Sequence, residues 1–215
     1  MLKIKIAPSI LGADYGDLNR YLKKLAPFSD MFHVDVMDGN FVNNLTLGPC
    51  VVEAIETKVP LDCHLMINHP EQFIDAFAKA GAASITIHLE ASSNPARDIQ
   101  LIKDAGCKAA ISINPATPVF KLIPYLSLVD MVLIMSVVPG WGGQMFIPDV
   151  LDKVKFIRER QPELDIQIDG GINDKTAVMA AKAGANVFVA GSYILKAKDP
   201  KKAAQSLKAA AQRAF

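Results

Sequence analysis

The sequence predicts an α/β protein, a single (β/α)₈ barrel over residues 1–215. Three observations carry this: eight short apolar or β-branched runs, helix-patterned segments between them, and glycine-rich turns that come late in the chain. The runs are Lys3–Ala7, Met31–Val36, Leu61–Met66, Ser84–His88, Lys108–Ile113, Met131–Met135, Asp165–Ile168 and Asn186–Ala190, each bounded by polar, Gly or Pro residues. Strands that are apolar on both faces suit a parallel sheet covered by helices, and eight such units close into a barrel.

Helical spacing recurs at Pro70–Ala80, Asn94–Ala105, Pro148–Glu159, Asp174–Ala183 and Pro200–Ala211, several of which open on Pro or Asp. Ala80-Gly81, Ala105-Gly106 and Ala183-Gly184 supply the glycine that ends a helix in the left-handed conformation. An open doubly wound sheet is the competing architecture. Against it, no G-x-G-x-x-G turn follows the first strand, and the glycine-rich segments follow the sixth, seventh and eighth, where a barrel holds its phosphate site. No linker, composition shift or solenoid repeat divides the chain.

Composition narrows the partners. A 215-residue chain that is 51% hydrophobic can bury a substantial core, and its net charge of +1 provides no general field for nucleic acid or anionic lipid. Any anion must therefore be held by a local site. Three cysteines, Cys50, Cys63 and Cys107, lack metal-finger spacing and suit a reducing compartment. Lys3 and Lys5 interrupt the first apolar residues, so no secretory leader is expected, and no run reaches membrane-spanning length. The expectation is a cytoplasmic homo-oligomer with no nucleic-acid or membrane partner.

The chemistry lies at three strand ends. In Phe32-His33-Val34-Asp35-Val36-Met37 the two-residue period puts His33, Asp35 and Met37 on one face. The third strand sends His64 and Met66 one way and Cys63, a core thiol, the other; the seventh ends in Asp169. Two imidazoles and two carboxylates suit a borderline divalent ion such as Zn²⁺, Fe²⁺, Mn²⁺ or Co²⁺. Singly, each could equally be a hydrogen-bonded core histidine or a capping aspartate; their joint position points to a site. His88 reads as a core histidine, and His69 as exposed.

His33-Val34-Asp35-Val36-Met37-Asp38-Gly39-Asn40-Phe41-Val42 and Asp62-Cys63-His64-Leu65-Met66 resemble the ribulose-phosphate 3-epimerase family. So do Ala7-Pro8-Ser9-Ile10-Leu11, Asn114-Pro115-Ala116-Thr117-Pro118, Val138-Pro139-Gly140-Trp141-Gly142-Gly143-Gln144, Asp169-Gly170-Gly171-Ile172 and Ala190-Gly191-Ser192, which spread the likeness over nearly the whole chain. The resemblance implies a barrel of the ribulose-phosphate binding type. It also implies one divalent ion per subunit on His33, Asp35, His64 and Asp169, with Asp35 and Asp169 as the acid/base pair. By the same resemblance, a phosphorylated ketose is bound by Ser9, His64, Gly140, Trp141, Gly142, Gly143, Asp169, Gly170, Gly171, Gly191 and Ser192, and Met37, Met66 and Met135 cap the intermediate. Trp141 and Asn43 depart from the family's common phenylalanine and proline, which bears on loop closure.

The implied reaction interconverts D-ribulose 5-phosphate and D-xylulose 5-phosphate. Inverting a carbon next to a ketone requires proton removal from one face and return to the other through an ene-diolate, which two carboxyl groups can divide between them. Allulose-6-phosphate 3-epimerase is the nearest alternative. A lyase resembling hexulose-phosphate synthase ranks lower, because its relatives carry a D-x-K-x-x-D strand where this chain has His64-Leu65-Met66.

Overall fold

The computed structural model describes residues 2–215. Its parallel strands are β1 (Lys5–Pro8), β2 (Phe32–Met37), β3 (Leu61–Met66), β4 (Ala82–His88), β5 (Lys108–Ile113), β6 (Met131–Met135), β7 (Asp165–Asp169) and β8 (Val187–Ala190). Hydrogen-bonded neighbours run β1-β8-β7-β6-β5-β4-β3-β2. The remaining seam, between β1 and β2, is bridged by Ser9 and His33, with the Ile10 N–H donating to the His33 carbonyl at 3.0 Å. The eight strands thus form the predicted barrel, with β3, β5 and β6 at the expected limits and the others within two residues of them.

The helices are α1 (Leu18–Leu25), α2 (Pro49–Glu53), α3 (Ile74–Lys79), α4 (Pro95–Asp104), α5 (Leu151–Arg160), α6 (Asp174–Ala183), α7 (Ser192–Leu195) and α8 (Pro200–Ala214). Beneath them lies the main core, built from alternate strand residues such as Ile6, Val34, Cys63, Leu65, Ile87, Ile134 and Phe188. Removing each such large side chain from water contributes about 1.5–3 kcal/mol. The glycines after α3, α4 and α6 have φ of +103°, +82° and +110°, as helix-ending glycines should.

Two predicted helices begin differently. Pro70–Gln72 and Pro148–Val150 are 3₁₀ turns ahead of α3 and α5. A proline suits the start of a turn but supplies no N–H, and i→i+3 bonds such as Phe73 N–H to the Pro70 carbonyl, 3.0 Å, tighten the first turn. Between β5 and β6 a 3₁₀ stretch, Val119–Tyr125, replaces an α-helix, with Pro118 ahead of it and Pro124 inside.

The opposite face of the strands fills the barrel. Ala7, Ala110, Met131, Val187 and Val189 pack together there, but other interior positions hold buried His33, Asp35, Asp62, His64, Ser84 and Gln167. Barrel interiors are ordinarily branched aliphatic layers, so polar groups at this depth require partners. Asp62 provides them, accepting from Ser84 Oγ at 2.6 Å and Gln167 Nε2 at 2.7 Å and lying 2.9 Å from His33 Nδ1. Among the described residues no helix is long and apolar enough to cross a membrane.

Candidate metal centre and active site

The period of two along β2 and the register with β3 set His33 beside Asp62, Asp35 beside His64, and Met37 beside Met66. On the other side of the sequence, β7 pairs with β6 so that Asp169 lies beside Met135. Closing the barrel brings one ligand atom from each of His33, Asp35, His64 and Asp169 within 4.8 Å of one another. His33 Nε2 and His64 Nδ1 are 3.3 Å apart, each is 3.3 Å from Asp35 Oδ1, and they lie 3.9 and 4.0 Å from Asp169 Oδ2. Tetrahedral bonds of about 2.0–2.2 Å would separate ligand atoms by about 3.3–3.6 Å, so this set fits a small divalent ion with a slight inward movement of Asp169.

Partners behind the cluster fix its geometry. Asp62 holds His33 Nδ1, leaving Nε2 directed at the cluster. Ser9 Oγ donates to Asp35 Oδ2 at 2.6 Å. His88, expected as a core histidine, is fully buried and outside the four-residue cluster, yet its Nε2 lies 2.8 Å from His64 Nε2. His69 is exposed as expected.

Burial alone would raise the Asp35 carboxyl, but the flanking His33 and His64 outweigh it and hold Asp35 well below the usual carboxylate range. Burial, then the negative charge of Asp35, push Asp169 up to about 7. Burial pulls His64 down to about 4. It works the same way on His33, where the charges of Asp35 and Asp62 prevail and hold the imidazole well above its ordinary value. The two carboxyl groups thus have opposite protonation tendencies.

A divalent ion must displace protons held by Asp169 and His33, and below their raised pKa values those protons compete with it. Ion affinity is therefore expected to rise with pH up to about 7, where Asp169 gives up its proton, and further for as long as His33 keeps one, by up to about tenfold per unit for each proton displaced. Chelator competition at several pH values measures this; a flat profile would contradict it.

Above the cluster opens a cavity of ≈ 350 Å³. Asp35 and Asp169 reach it together with Ser9 and with Met37, Met66 and Met135, whereas His33 and His64 are sealed behind. The loops after β6, β7 and β8 bring Gly140–Gly143, Gly170, Gly171, Gly191 and Ser192 to the same cavity. Two of these glycines are dictated sterically. Gly170 has φ +118° and a Cβ there would lie 2.5 Å from Val137 Cγ2; Gly171 has φ +63° and its Cβ would lie 2.6 Å from the Phe146 backbone nitrogen. Gly171→Ala is expected to cost about 1–3 kcal/mol and to lower Tm by roughly 2–12 °C in thermal unfolding, whereas unchanged melting would deny the close approach.

Asn44, absent from the sequence-based site, ties the loop after β2 to the loop after β6 through Nδ2–H donation to the Gly140 carbonyl at 2.7 Å. Trp141, next to Gly140 in the loop after β6, is 60% exposed on the cavity rim.

The Ribulose-phosphate 3 epimerase family matches residues 5–195, a span that includes every strand and all four cluster residues. The chain belongs to this family. A Bacillus subtilis ribulose-phosphate 3-epimerase is 46% identical over 213 residues, covering 95% of this chain and 98% of that one. A cytoplasmic isoform of ribulose-phosphate 3-epimerase from Oryza sativa subspecies japonica is 42% identical over 203 residues, covering 91% and 89%. Among solved structures, a 3-hexulose-6-phosphate synthase superposes with TM-score 0.74 over 96% of this chain and 99% of that chain at 20% identity, which speaks to the fold alone. The epimerase relatives make this chain an isomerase.

Asp62, Gln167 and the contact of His88 with His64 lie outside the site expected from the sequence. Asp62 had a signal, since it sits two residues before His64 and must share its face. Gln167 likewise precedes Asp169 by two, but its bond to Asp62 spans 105 residues and appears only on closure.

Proposed function

We propose that this chain interconverts D-ribulose 5-phosphate and D-xylulose 5-phosphate by proton transfer at C3, with Asp35 and Asp169 as the two proton carriers. The observation that supports this most is that both carboxyl groups, one held ionised and the other raised to about 7, open onto one cavity from one cluster. In one direction Asp35 as carboxylate takes the C3 proton while Asp169 as acid delivers one to the opposite face, and the roles exchange in reverse. A divalent ion on His33, Asp35, His64 and Asp169 supplies positive charge against the negative charge that develops on the substrate oxygens. Ser9 orients Asp35 through its 2.6 Å hydrogen bond.

Met37, Met66 and Met135 cover the reacting carbons with polarizable groups that exchange no protons. The glycine loops with Ser192 receive the phosphate through close backbone approach. Three free thiols, two of them buried, accord with a cytoplasmic setting.

Incubation with ribulose 5-phosphate in deuterated water tests the reading. Xylulose 5-phosphate carrying deuterium at C3 is the expected product; its absence with divalent ions supplied would overturn the proposal. Comparing kcat/KM for ribulose 5-phosphate and allulose 6-phosphate separates the pentose from the hexose assignment.

A further inference from the structure

The segment Asn114-Pro115-Ala116-Thr117-Pro118 after β5 does not line the cavity, yet polar contacts concentrate on it. Lys153 Nζ, from α5, donates to the carbonyls of Asn114 (3.0 Å), Pro115 (2.6 Å) and Thr117 (2.7 Å). Glu90, just past β4, accepts at Oε1 from the Asn114 N–H at 2.8 Å and from Thr117 Oγ1. Its other oxygen, Oε2, lies 3.4 Å from His88 Nδ1, a buried nitrogen with no hydrogen-bond partner among the described residues. His88 Nε2 then meets His64 Nε2 at 2.8 Å.

Donor and acceptor chemistry decides where the protons lie along this row. An Nδ1 lone pair aimed at a carboxylate oxygen in a buried setting is repelled, whereas an N–H is attracted, so Glu90 draws the His88 proton to Nδ1. Its Nε2 is then an acceptor. At 2.8 Å from His64 Nε2 one proton must lie between the rings, and His64 supplies it. His64 Nδ1 keeps a free lone pair facing His33 Nε2 and Asp35 Oδ1, both at 3.3 Å, which is the state an imidazole needs in order to ligate a cation. Asp35 Oδ1, at 3.3 Å, draws the same proton to His64 Nδ1 from the opposite end of the row; a cation on that nitrogen excludes it there, and the row then runs from His64 Nε2 through His88 to Glu90.

We infer that Glu90 and His88 are positioning residues that set the ligating tautomer of His64, and that the Asn114–Thr117 loop exists to hold Glu90 Oε1 so that only Oε2 faces His88. The two ligand imidazoles are thereby backed by carboxylates in different ways. Asp62 touches His33 directly, whereas Glu90 acts on His64 through a second ring. This rests on the proposed ion site at the four-residue cluster.

Glu90→Gln is the incisive variant. The Asn114 N–H and the Thr117 hydroxyl claim the amide oxygen, so the NH₂ group faces His88 Nδ1 as a donor and inverts the row, moving the His64 proton to its ligating nitrogen. Zinc affinity measured by chelator competition should fall about 10- to 100-fold. Thr117→Val removes one donor from Glu90 without inverting the row and should weaken zinc by less than the roughly tenfold that marks loss of an outer partner. In the zinc-loaded wild type, nitrogen-15 NMR of labelled histidines should show neutral His88 with its proton on Nδ1.

His88 protonated on Nε2, or carrying two protons, overturns the inference whether or not the variants fold. Zinc binding by Glu90→Gln as tight as by the wild type overturns it too. A wild-type chain that binds no divalent ion instead overturns the ion site itself, a result distinct from both.

Discussion

Asp169→Asn is expected to reduce turnover of ribulose 5-phosphate at least about 10²-fold, the lower range for loss of a general acid–base group, and Asp35→Asn should do the same. The carboxamide keeps the volume and one oxygen but can neither take nor deliver the proton, so the surrounding packing is preserved while the chemistry is removed. Because the two carboxyl groups serve opposite faces of C3, each variant should still exchange the C3 proton of one epimer with solvent without producing the other. Steady-state turnover with saturating ion measures the loss, and deuterium exchange into each separate epimer measures the residual half-reaction. Wild-type turnover in either variant would remove that residue from its role.

Removal of the divalent ion is the second large effect. Stabilising developing charge in a water-poor site is worth several kcal/mol, and about 3 kcal/mol corresponds to about 10²-fold in rate, so chelation should lower turnover by at least that factor. Readdition should restore activity, because the barrel is held by the apolar core around Ile6, Leu65, Ile134 and Phe188 and by the bonds of Ser84 and Gln167 to Asp62, none of which involves a ligand of the ion. Activity that survives exhaustive chelation, with absence of bound metal verified by elemental analysis, would contradict the assignment. Inactivation with loss of secondary structure by circular dichroism would mean that the ion serves folding instead.

Different parts of the molecule were legible to different degrees. All eight strands could be read because each is a short run bounded by turn residues, and period two assigned His33, Asp35 and Met37 to one face without coordinates. Helix starts were less legible: Pro70 and Pro148 mark a beginning, but whether the first turn is α or 3₁₀ depends on carbonyls placed by the preceding loop. The β5–β6 connection carried no helical period, and it folds as a proline-bearing 3₁₀ stretch. Asn44 lay in plain view in the loop after β2, but nothing local indicated that its amide would reach Gly140, 96 residues away.

The order of residues along the chain by itself determined the eight-stranded architecture, the face that each strand residue takes, and the presence of two imidazoles and two carboxyl groups at strand ends. Those follow from short-range geometry, in which side chains alternate and glycine or proline interrupts. Only the tertiary structure decided that β2, β3 and β7 converge closely enough for four ligand atoms to lie within 4.8 Å, that Asp35 and Asp169 acquire opposite protonation tendencies, and that Glu90 stands behind His64 through His88. The reason is that periodicity sets direction within a strand, while distances between strands, and the burial and charge that depend on them, arise only when the sheet closes on itself.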